Sequence, residues 1–269
     1  MNFHSDEWIM ERLNEHYQEA LKYFPEDRIV GLYYQGSGNY GLDYEGSDVD
    51  TKLIVTPTFE DIAMNKKAVS TTHIRENEEH IDFKDIRLYI QTFRKQNLNF
   101  LEILFTKYAI INPVYESEWN RLVNAREQIA HYAPVQAIKS MKGIAKEKYH
   151  AMEHHYPARM AWIEKFGYDP KQLHHLLRVN EYISRYIDGE SYEACLQSKM
   201  PEYLQAVKLG FHKLEDARMI ADWAIGCIDK MCDKYLETCS KEVDKDVDAL
   251  LDDVQYNIMK IAIKKEIGD

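Results

Sequence analysis

The segment that most restricts the fold of this chain is residues 28–55, where two apolar runs flank a glycine-containing turn and two acidic residues. Residues 28–35 are rich in Ile, Val, Leu and Tyr, which predicts a buried β-strand. The turn GSGNYGL follows at residues 36–42 and is expected to open a short helix. Asp48 and Asp50 begin a second predicted strand over residues 48–55. Because alternate side chains of a strand share a face, both carboxylates are expected on one side of a sheet.

This arrangement of turn and carboxylates has a specific chemical use. Backbone N–H groups and a hydroxyl at a glycine-serine turn can bind a phosphate, which makes Gly36, Ser37 and Gly38 candidate ligands. Mg²⁺ prefers a few carboxylates and keeps several waters, so Asp48 and Asp50 suit it. The pattern therefore indicates a site for a nucleoside triphosphate (NTP) and Mg²⁺, with Mn²⁺ as the alternative metal.

A third carboxylate is expected on a neighbouring strand, because metal ions that align a phosphoryl or nucleotidyl transfer need further oxygen ligands. Asp82 is the best candidate, since it alternates with Ile81 and Phe83, which are expected in the core. Asp85 is the alternative. It directly precedes a helical pattern, however, and is expected to be the N-cap of that helix.

The periodicity of the chain changes near residue 115. Before it, we predict helices at residues 5–23, 85–93 and 100–105, and paired strands at 68–74 and 79–83. The polar turn before Asp82 is expected to contain Glu78 and Glu79. After it, only helical patterns occur, over residues 118–132, 135–155, 171–187, 200–238 (continuous or with a break) and 243–266. We therefore predict an α/β domain over residues 1–115 and an all-helical domain over residues 116–269.

The helical half carries one basic pattern of interest. Lys171, His175 and Arg178 are spaced i, i+4 and i+7, which places them on one helix face. Asp169 and Pro170 are expected to be the N-cap and first residue of that helix. Such a face suits a triphosphate tail. A solvated helix face and a core histidine are the alternatives.

Composition excludes some classes of function. The net charge of −11, from 45 acidic and 34 basic residues, weighs against a protein that coats long nucleic acid. No apolar run approaches the ~20 residues of a membrane helix, and the N-terminal residues are unlike a signal peptide. The four cysteines lack CxxC spacing and are expected to be free thiols. We expect a cytoplasmic protein with no membrane partner.

The patterns in both halves resemble those of a known superfamily. A Gly-Ser pair, Asp-x-Asp and a later carboxylate on another strand are the signature of the polymerase-β-type nucleotidyltransferases. GSGNYGL together with SDVDTK, at residues 47–52, resembles a group of predicted nucleotidyltransferases from bacteria and phages, related to members linked with RNA repair. YDPKQLHHLLR, at residues 168–178, resembles the Tyr-Asp-Pro-Lys-x-x-x-His-x-x-Arg segment of that group. The resemblance covers most of the chain and implies a palm-like mixed sheet followed by a helical domain.

The resemblance also implies roles for individual residues. Asp48 and Asp50 would bind both the nucleotide metal and the catalytic metal, and Asp82 would complete the catalytic site and assist deprotonation of the attacking hydroxyl. The residues that would contribute to nucleotide binding are Gly36, Ser37, Gly38, Ser47, Lys171, His175 and Arg178. For Ser47, a purely structural place in the turn before the strand is the alternative.

The implied activity is transfer of a nucleoside monophosphate from an NTP to an acceptor hydroxyl, with release of pyrophosphate. An RNA or tRNA end is the first choice of acceptor, by analogy with the family. A protein side chain and a small molecule such as an aminoglycoside are the alternatives, and the acidic net charge favours these two. A non-catalytic sensor that binds the nucleotide without reacting is the alternative from another class.

Overall fold

The computed structural model describes residues 3–268, apart from the side chain of Ala158, and contains two compact units. The first unit comprises the described parts of Met1–Ala133 and Glu242–Asp269, and the second is Pro134–Lys241. A mixed sheet in the N-terminal part and mostly helices toward the C-terminus confirm the coarse fold prediction. The compact units do not share the boundary of the predicted functional domains, 1–115 and 116–269, which stay predictions.

A five-stranded sheet forms the centre of the first unit, in the order β3-β4-β2-β1-β5. Neighbours β2 and β4 are parallel, and the other neighbouring pairs are antiparallel. The four predicted strands are confirmed, with Asp48 just before β2 rather than in it. The sequence does not indicate β5, because three residues are too few to show a strand period. The strands are β1 (Ile29–Gln35), β2 (Asp50–Val55), β3 (Ser70–Ile74), β4 (His80–Asp85) and β5 (Ala109–Ile111).

Helices make up most of the remaining described residues, and none is long and apolar enough to cross a membrane. The predicted helix over residues 200–238 is broken into two, and two short helices, α8 and α10, have no clear signal in the sequence. In chain order the α-helices are α1 (Asp6–Ala20), α2 (Phe59–Ala63), α3 (Ile86–Arg94), α4 (Leu98–Leu101), α5 (Pro113–Asn124), α6 (Arg126–Ala130), α7 (Pro134–Ala151), α8 (Met160–Phe166), α9 (Pro170–Ile187), α10 (Tyr192–Leu196), α11 (Pro201–Lys208), α12 (Leu214–Thr238) and α13 (Lys245–Ile267).

One face of the sheet is covered by α1. The Ser5 hydroxyl caps this helix by accepting a hydrogen bond from the Trp8 N–H at 3.2 Å. The apolar stripe of α1 packs against side chains that alternate along the strands, which buries a continuous core. That core consists of Ile9, Leu13, Ala20, Ile29, Leu32, Tyr34, Val49, Leu53, Val55, Ile81, Phe83 and Tyr108.

The opposite face of the sheet carries the alternate side chains of the same strands. Tyr33 on β1 packs against Trp119 of α5, with ring centroids 4.6 Å apart. Lys52 on β2 and Lys84 on β4 contact the ring of Phe100 in α4. Because Asp50 and Asp82 alternate in step with these lysines, both aspartates lie on this second face.

The second unit is built around α9, which packs against α7, α10, α11 and α12. Asp169 caps this helix by accepting from the Lys171 N–H at 3.0 Å, and Pro170 is its first residue, as predicted. Asp169 is buried and also accepts two hydrogen bonds from Arg159, at 2.8 and 2.7 Å. This planar two-point pairing ties the start of α9 to the residue that directly precedes α8.

Replacing Asp169 with Ala is expected to remove both the cap and the partner of Arg159. Loss of a helix cap and of one side of a buried ion pair together predict a fall in the free energy of unfolding of about 3 kcal/mol. Thermal and urea unfolding measure this change. Asp188→Ala, at the exposed C-cap of the same helix, is the matched control and is expected to have little effect. Equal stability of the two variants would contradict the prediction.

Candidate active site

The turn after β1 is shaped by the side chain of Tyr34. A Cβ added at Gly36 or at Gly38 would lie 2.8 Å from the Tyr34 hydroxyl, so both positions need glycine for this close packing. Gly36 also has a φ of +155°, which residues with a Cβ rarely adopt. The Gly38 N–H donates to the Tyr34 hydroxyl at 3.1 Å. Phosphate binding by this N–H, which the sequence predicts, would have to break that hydrogen bond.

Two serine hydroxyls meet beside this turn. The predicted short helix is a 3₁₀ helix, Ser37–Tyr40, and its first residue places its Oγ 3.3 Å from the Oγ of Ser47. Ser47 also accepts from the Tyr44 N–H at 2.9 Å and so stabilises the turn, while its predicted contact with the nucleotide stays a prediction. The structure therefore brings Ser37 and Ser47, which are distant in sequence by ten residues, to one point next to the aspartates.

Asp48 and Asp50 lie where the chain enters β2. Asp48 is exposed and precedes the strand, whereas Asp50 is half-buried and pairs with Gln35, the last residue of β1. The Oδ1 atom of Asp50 accepts a hydrogen bond from the backbone N–H of His80 at 3.0 Å, and the His80 ring nitrogen Nδ1 lies 3.5 Å away. The two aspartates thus lie at the end of the sheet at which the glycine turn begins.

Asp82 lies on β4 directly beside Lys52 of β2. Its neighbours Ile81 and Phe83 are buried while its own side chain is 34% exposed, which confirms the predicted alternation. The Lys52 Nζ is 3.0 Å from one carboxylate oxygen, and the Thr72 hydroxyl donates to the other at 2.5 Å. Burial raises the pKa of Asp82, but the charge of Lys52 and these hydrogen bonds outweigh it and lower the pKa below its ordinary value.

The donor set fits Mg²⁺ in chemical type, because Asp48, Asp50 and Asp82 all offer carboxylate oxygens, and Asp50 and Asp82 share one face of two adjacent strands. Within residues 3–268, however, no group of three or more acidic, histidine or cysteine side chains is arranged to hold a metal ion. For Asp82 the physical reason is that Lys52 and Thr72 already engage its two oxygens. Asp48 and Asp50 would hold the metal, and Asp82 would join them on release from Lys52.

Two lysines share one aromatic ring beyond Asp82. The Nζ atoms of Lys52 and Lys84 lie 4.1 and 4.7 Å from the ring centroid of Phe100. Lys52 is buried and paired with Asp82, whereas Lys84 is half-buried. Loss of hydration, and then the charge of Lys52, lower the pKa of Lys84. The ammonium groups of Lys52 and Lys84 therefore place two positive charges close together beside Asp82.

Glu79 is a buried carboxylate that the sequence interpretation assigned only to a polar turn. Its side chain is 7% exposed and accepts hydrogen bonds from Arg12, His16, Arg75 and Asn77. Burial alone raises the pKa of Glu79, but the hydrogen bonds and the charge of Arg12 outweigh it and lower the pKa to about 2. Glu79 is therefore ionised at neutral pH and neutralised from α1 and from the β3–β4 turn.

The same carboxylate reaches the segment between the two aspartates. Glu79 Oε1 accepts from the Val49 N–H at 3.3 Å. The ring of His16 joins Glu79 to Thr51, with 2.9 Å to the carboxylate and 2.9 Å to the hydroxyl. These contacts attach the backbone of Val49 and the side chain of Thr51, on either side of Asp50, to helix α1. Glu79 therefore positions the Asp48–Asp50 segment without belonging to its exposed face.

The three predicted basic residues of α9 lie in the second unit, and their nucleotide-binding role stays a prediction. Lys171, His175 and Arg178 are all half-buried. Loss of hydration, with the neighbouring positive charges, holds the pKa of His175 well below its ordinary value, so its imidazole is neutral at pH 7. Its neighbour His174 is a core residue whose Nδ1 lies 2.8 Å from the Leu204 carbonyl oxygen.

Comparison with known proteins adds no family assignment to this geometry. No protein-family model matches the chain, and no curated protein matches it. The turn, the aspartates and their surroundings in the first unit are therefore the features that indicate a function.

Proposed function

We propose that this protein is a metal-dependent nucleotidyltransferase. It would transfer a nucleoside monophosphate from an NTP to an acceptor hydroxyl, with an RNA or tRNA 3′ end as the first choice of acceptor. The observation that carries the proposal is that Asp50 and Asp82 share one face of the parallel pair β2 and β4, at the end of β1 where the Gly36–Ser37 turn begins. The cytoplasm stays the predicted compartment.

The chemistry assigns a task to each part of this site. Ser37, with Ser47 beside it, offers hydroxyl donors to the triphosphate. The acceptor oxygen attacks the α-phosphorus, the new P–O bond forms there, and the bond from the α-phosphorus to the bridging oxygen breaks to release pyrophosphate. Asp82 is suited to accept a hydrogen bond from the attacking hydroxyl, whose proton finally passes to water. Magnesium bound by Asp48 and Asp50 would supply charge neutralisation on the phosphate oxygens.

The two contacts of the Asp82 carboxylate favour a second candidate function. Because Lys52 and Thr72 engage both oxygens of Asp82, the site has the polar groups to bind an NTP while its third carboxylate is held by the protein. A sensor that binds the nucleotide without transferring it would use this arrangement unchanged. Both candidate functions include binding of the NTP, but only the nucleotidyltransferase transfers the nucleotide.

The experiment that tests the proposal is an incubation of the pure protein with Mg²⁺ and each NTP, with and without total RNA, resolved on a denaturing gel. Each NTP is used once with an α-phosphate label and once with a γ-phosphate label. Transfer of the α-phosphate label to RNA, without transfer of the γ-phosphate label, supports the proposal. The same transfer to protein would show that the acceptor is a protein hydroxyl. Binding without label transfer supports the sensor, and neither binding nor transfer overturns both candidates.

A further inference from the structure

Lys84 is a positive charge beside the proposed reaction centre, and no carboxylate among residues 3–268 forms an ion pair with it. Lys52, its neighbour over the Phe100 ring, pairs with Asp82 at 3.0 Å. Lys84 itself makes no ion pair within residues 3–268, and its hydrogen-bond partner is the Ser70 hydroxyl at 3.3 Å. Two ammonium groups over one ring, with a single carboxylate between them, leave one positive charge that an anion can neutralise.

The position of Lys84 separates it from the glycine turn. The turn begins where β1 ends, beside Asp50, and Asp50 contacts the N–H of His80 at the start of β4. Lys84 is four residues further along β4, which corresponds to about 13 Å at the rise of a strand. Asp82 lies between these two places on the same face. An anion at Lys84 is therefore on the far side of Asp82 from a triphosphate bound at the turn.

The sheet edge next to Lys84 offers hydroxyl groups and is accessible. Strand β3 is at the edge of the sheet, and its residues Ser70 and Thr72 are exposed. Their hydroxyls contact Lys84 and Asp82 respectively. Lysine, serine and threonine side chains are common donors to the phosphates of nucleic acids. An amino-sugar acceptor, which carries ammonium groups, would meet repulsion from both lysines here.

We propose that Lys84, with Ser70 and Thr72, forms a subsite for the terminal phosphodiester of a single-stranded RNA acceptor, whose 3′ hydroxyl then lies at Asp82. This inference rests on the proposed function and names its acceptor class. Lys52 sets the spacing of the subsite, because its ammonium group and that of Lys84 lie over the same Phe100 ring. The subsite accounts for acceptor binding, and the glycine turn accounts for binding of the NTP.

The test compares Lys84→Ala with Lys84→Arg and with Lys67→Ala. Lys67 is exposed and makes no ion pair in the described part of the chain, so its replacement changes the net charge equally. Binding of a short single-stranded RNA with a 5′ fluorescent label is measured by anisotropy at several salt concentrations. Binding of ATP is measured by calorimetry, and thermal unfolding confirms that each variant is folded.

Lys84→Ala is expected to weaken RNA binding roughly tenfold, as for loss of one charged hydrogen bond. It should also reduce the slope of log affinity against log salt by about 0.7. ATP binding should not change, and Lys84→Arg should retain RNA binding. Unchanged RNA binding, weakened ATP binding, or an equal effect of Lys67→Ala would each overturn the subsite. Because these measurements need no turnover, they are independent of the label-transfer test, whose failure would overturn the nucleotidyltransferase instead.

Discussion

Asp48→Asn is expected to abolish nucleotidyl transfer while leaving the fold intact. The substitution removes a charged metal ligand and keeps the shape of the side chain, so the rate should fall roughly a thousandfold or more. Asp48 is exposed and precedes β2, so the melting temperature should change little. The measurement is release of pyrophosphate from the preferred NTP at saturating Mg²⁺, beside thermal unfolding of the same samples.

Glu45→Gln is the matched control for this experiment. Glu45 is exposed in the same segment, three residues before Asp48, and its replacement removes the same charge. The control should retain transfer. Asp82→Asn is a less clear test, because it also leaves the buried ammonium of Lys52 without its carboxylate and so changes stability together with activity. Full transfer by Asp48→Asn would contradict the proposed mechanism.

The positions of Asp50 and Asp82 on the sheet could be predicted from the sequence, because the alternation of side chains along a strand is a local property. Asp82 between Ile81 and Phe83 has the pattern of one exposed residue between two core residues, and the structure confirms it. The same holds for Asp169 before Pro170, where capping depends on a few adjacent residues. These predictions needed no knowledge of which strands are neighbours.

Contacts between segments that are far apart in the sequence could not be predicted in this way. The pairing of Lys52 with Asp82 depends on the parallel register of β2 and β4, and no local pattern specifies that register. Glu79 was placed only in a turn because its partners lie on α1, more than sixty residues earlier. One signal was present: Arg12 and His16 lie one turn apart on α1, and His16 is on its apolar stripe. A basic residue on a buried face requires an acidic or hydrogen-bonding partner.

Glu79→Gln is expected to destabilise the first unit more than any surface substitution. It leaves Arg12 and Arg75, whose side chains are 19% and 17% exposed, without their buried carboxylate. Breaking such a pair predicts a loss of roughly 3 kcal/mol. For a unit of this size that corresponds to a fall in melting temperature on the order of 10 °C. Glu15→Gln is the matched control, because Glu15 pairs with the same two arginines but is 43% exposed and should contribute less than about 1 kcal/mol.

The pH dependence of stability tests the contribution of the Glu79 carboxylate. The pKa of Glu79 falls from an ordinary value of 4.5 to about 2 in the folded protein, so its contribution is fully present above pH 4.5. The contribution is lost as the pH falls through 2, and the shift corresponds to on the order of 3 kcal/mol. Between pH 5 and pH 2, the free energy of unfolding measured in urea should therefore fall more for the wild type than for Glu79→Gln. Parallel curves for the two proteins would show that Glu79 does not hold this segment through its charge, and the link from α1 to the Asp48–Asp50 segment would then rest on His16 and Thr51 alone.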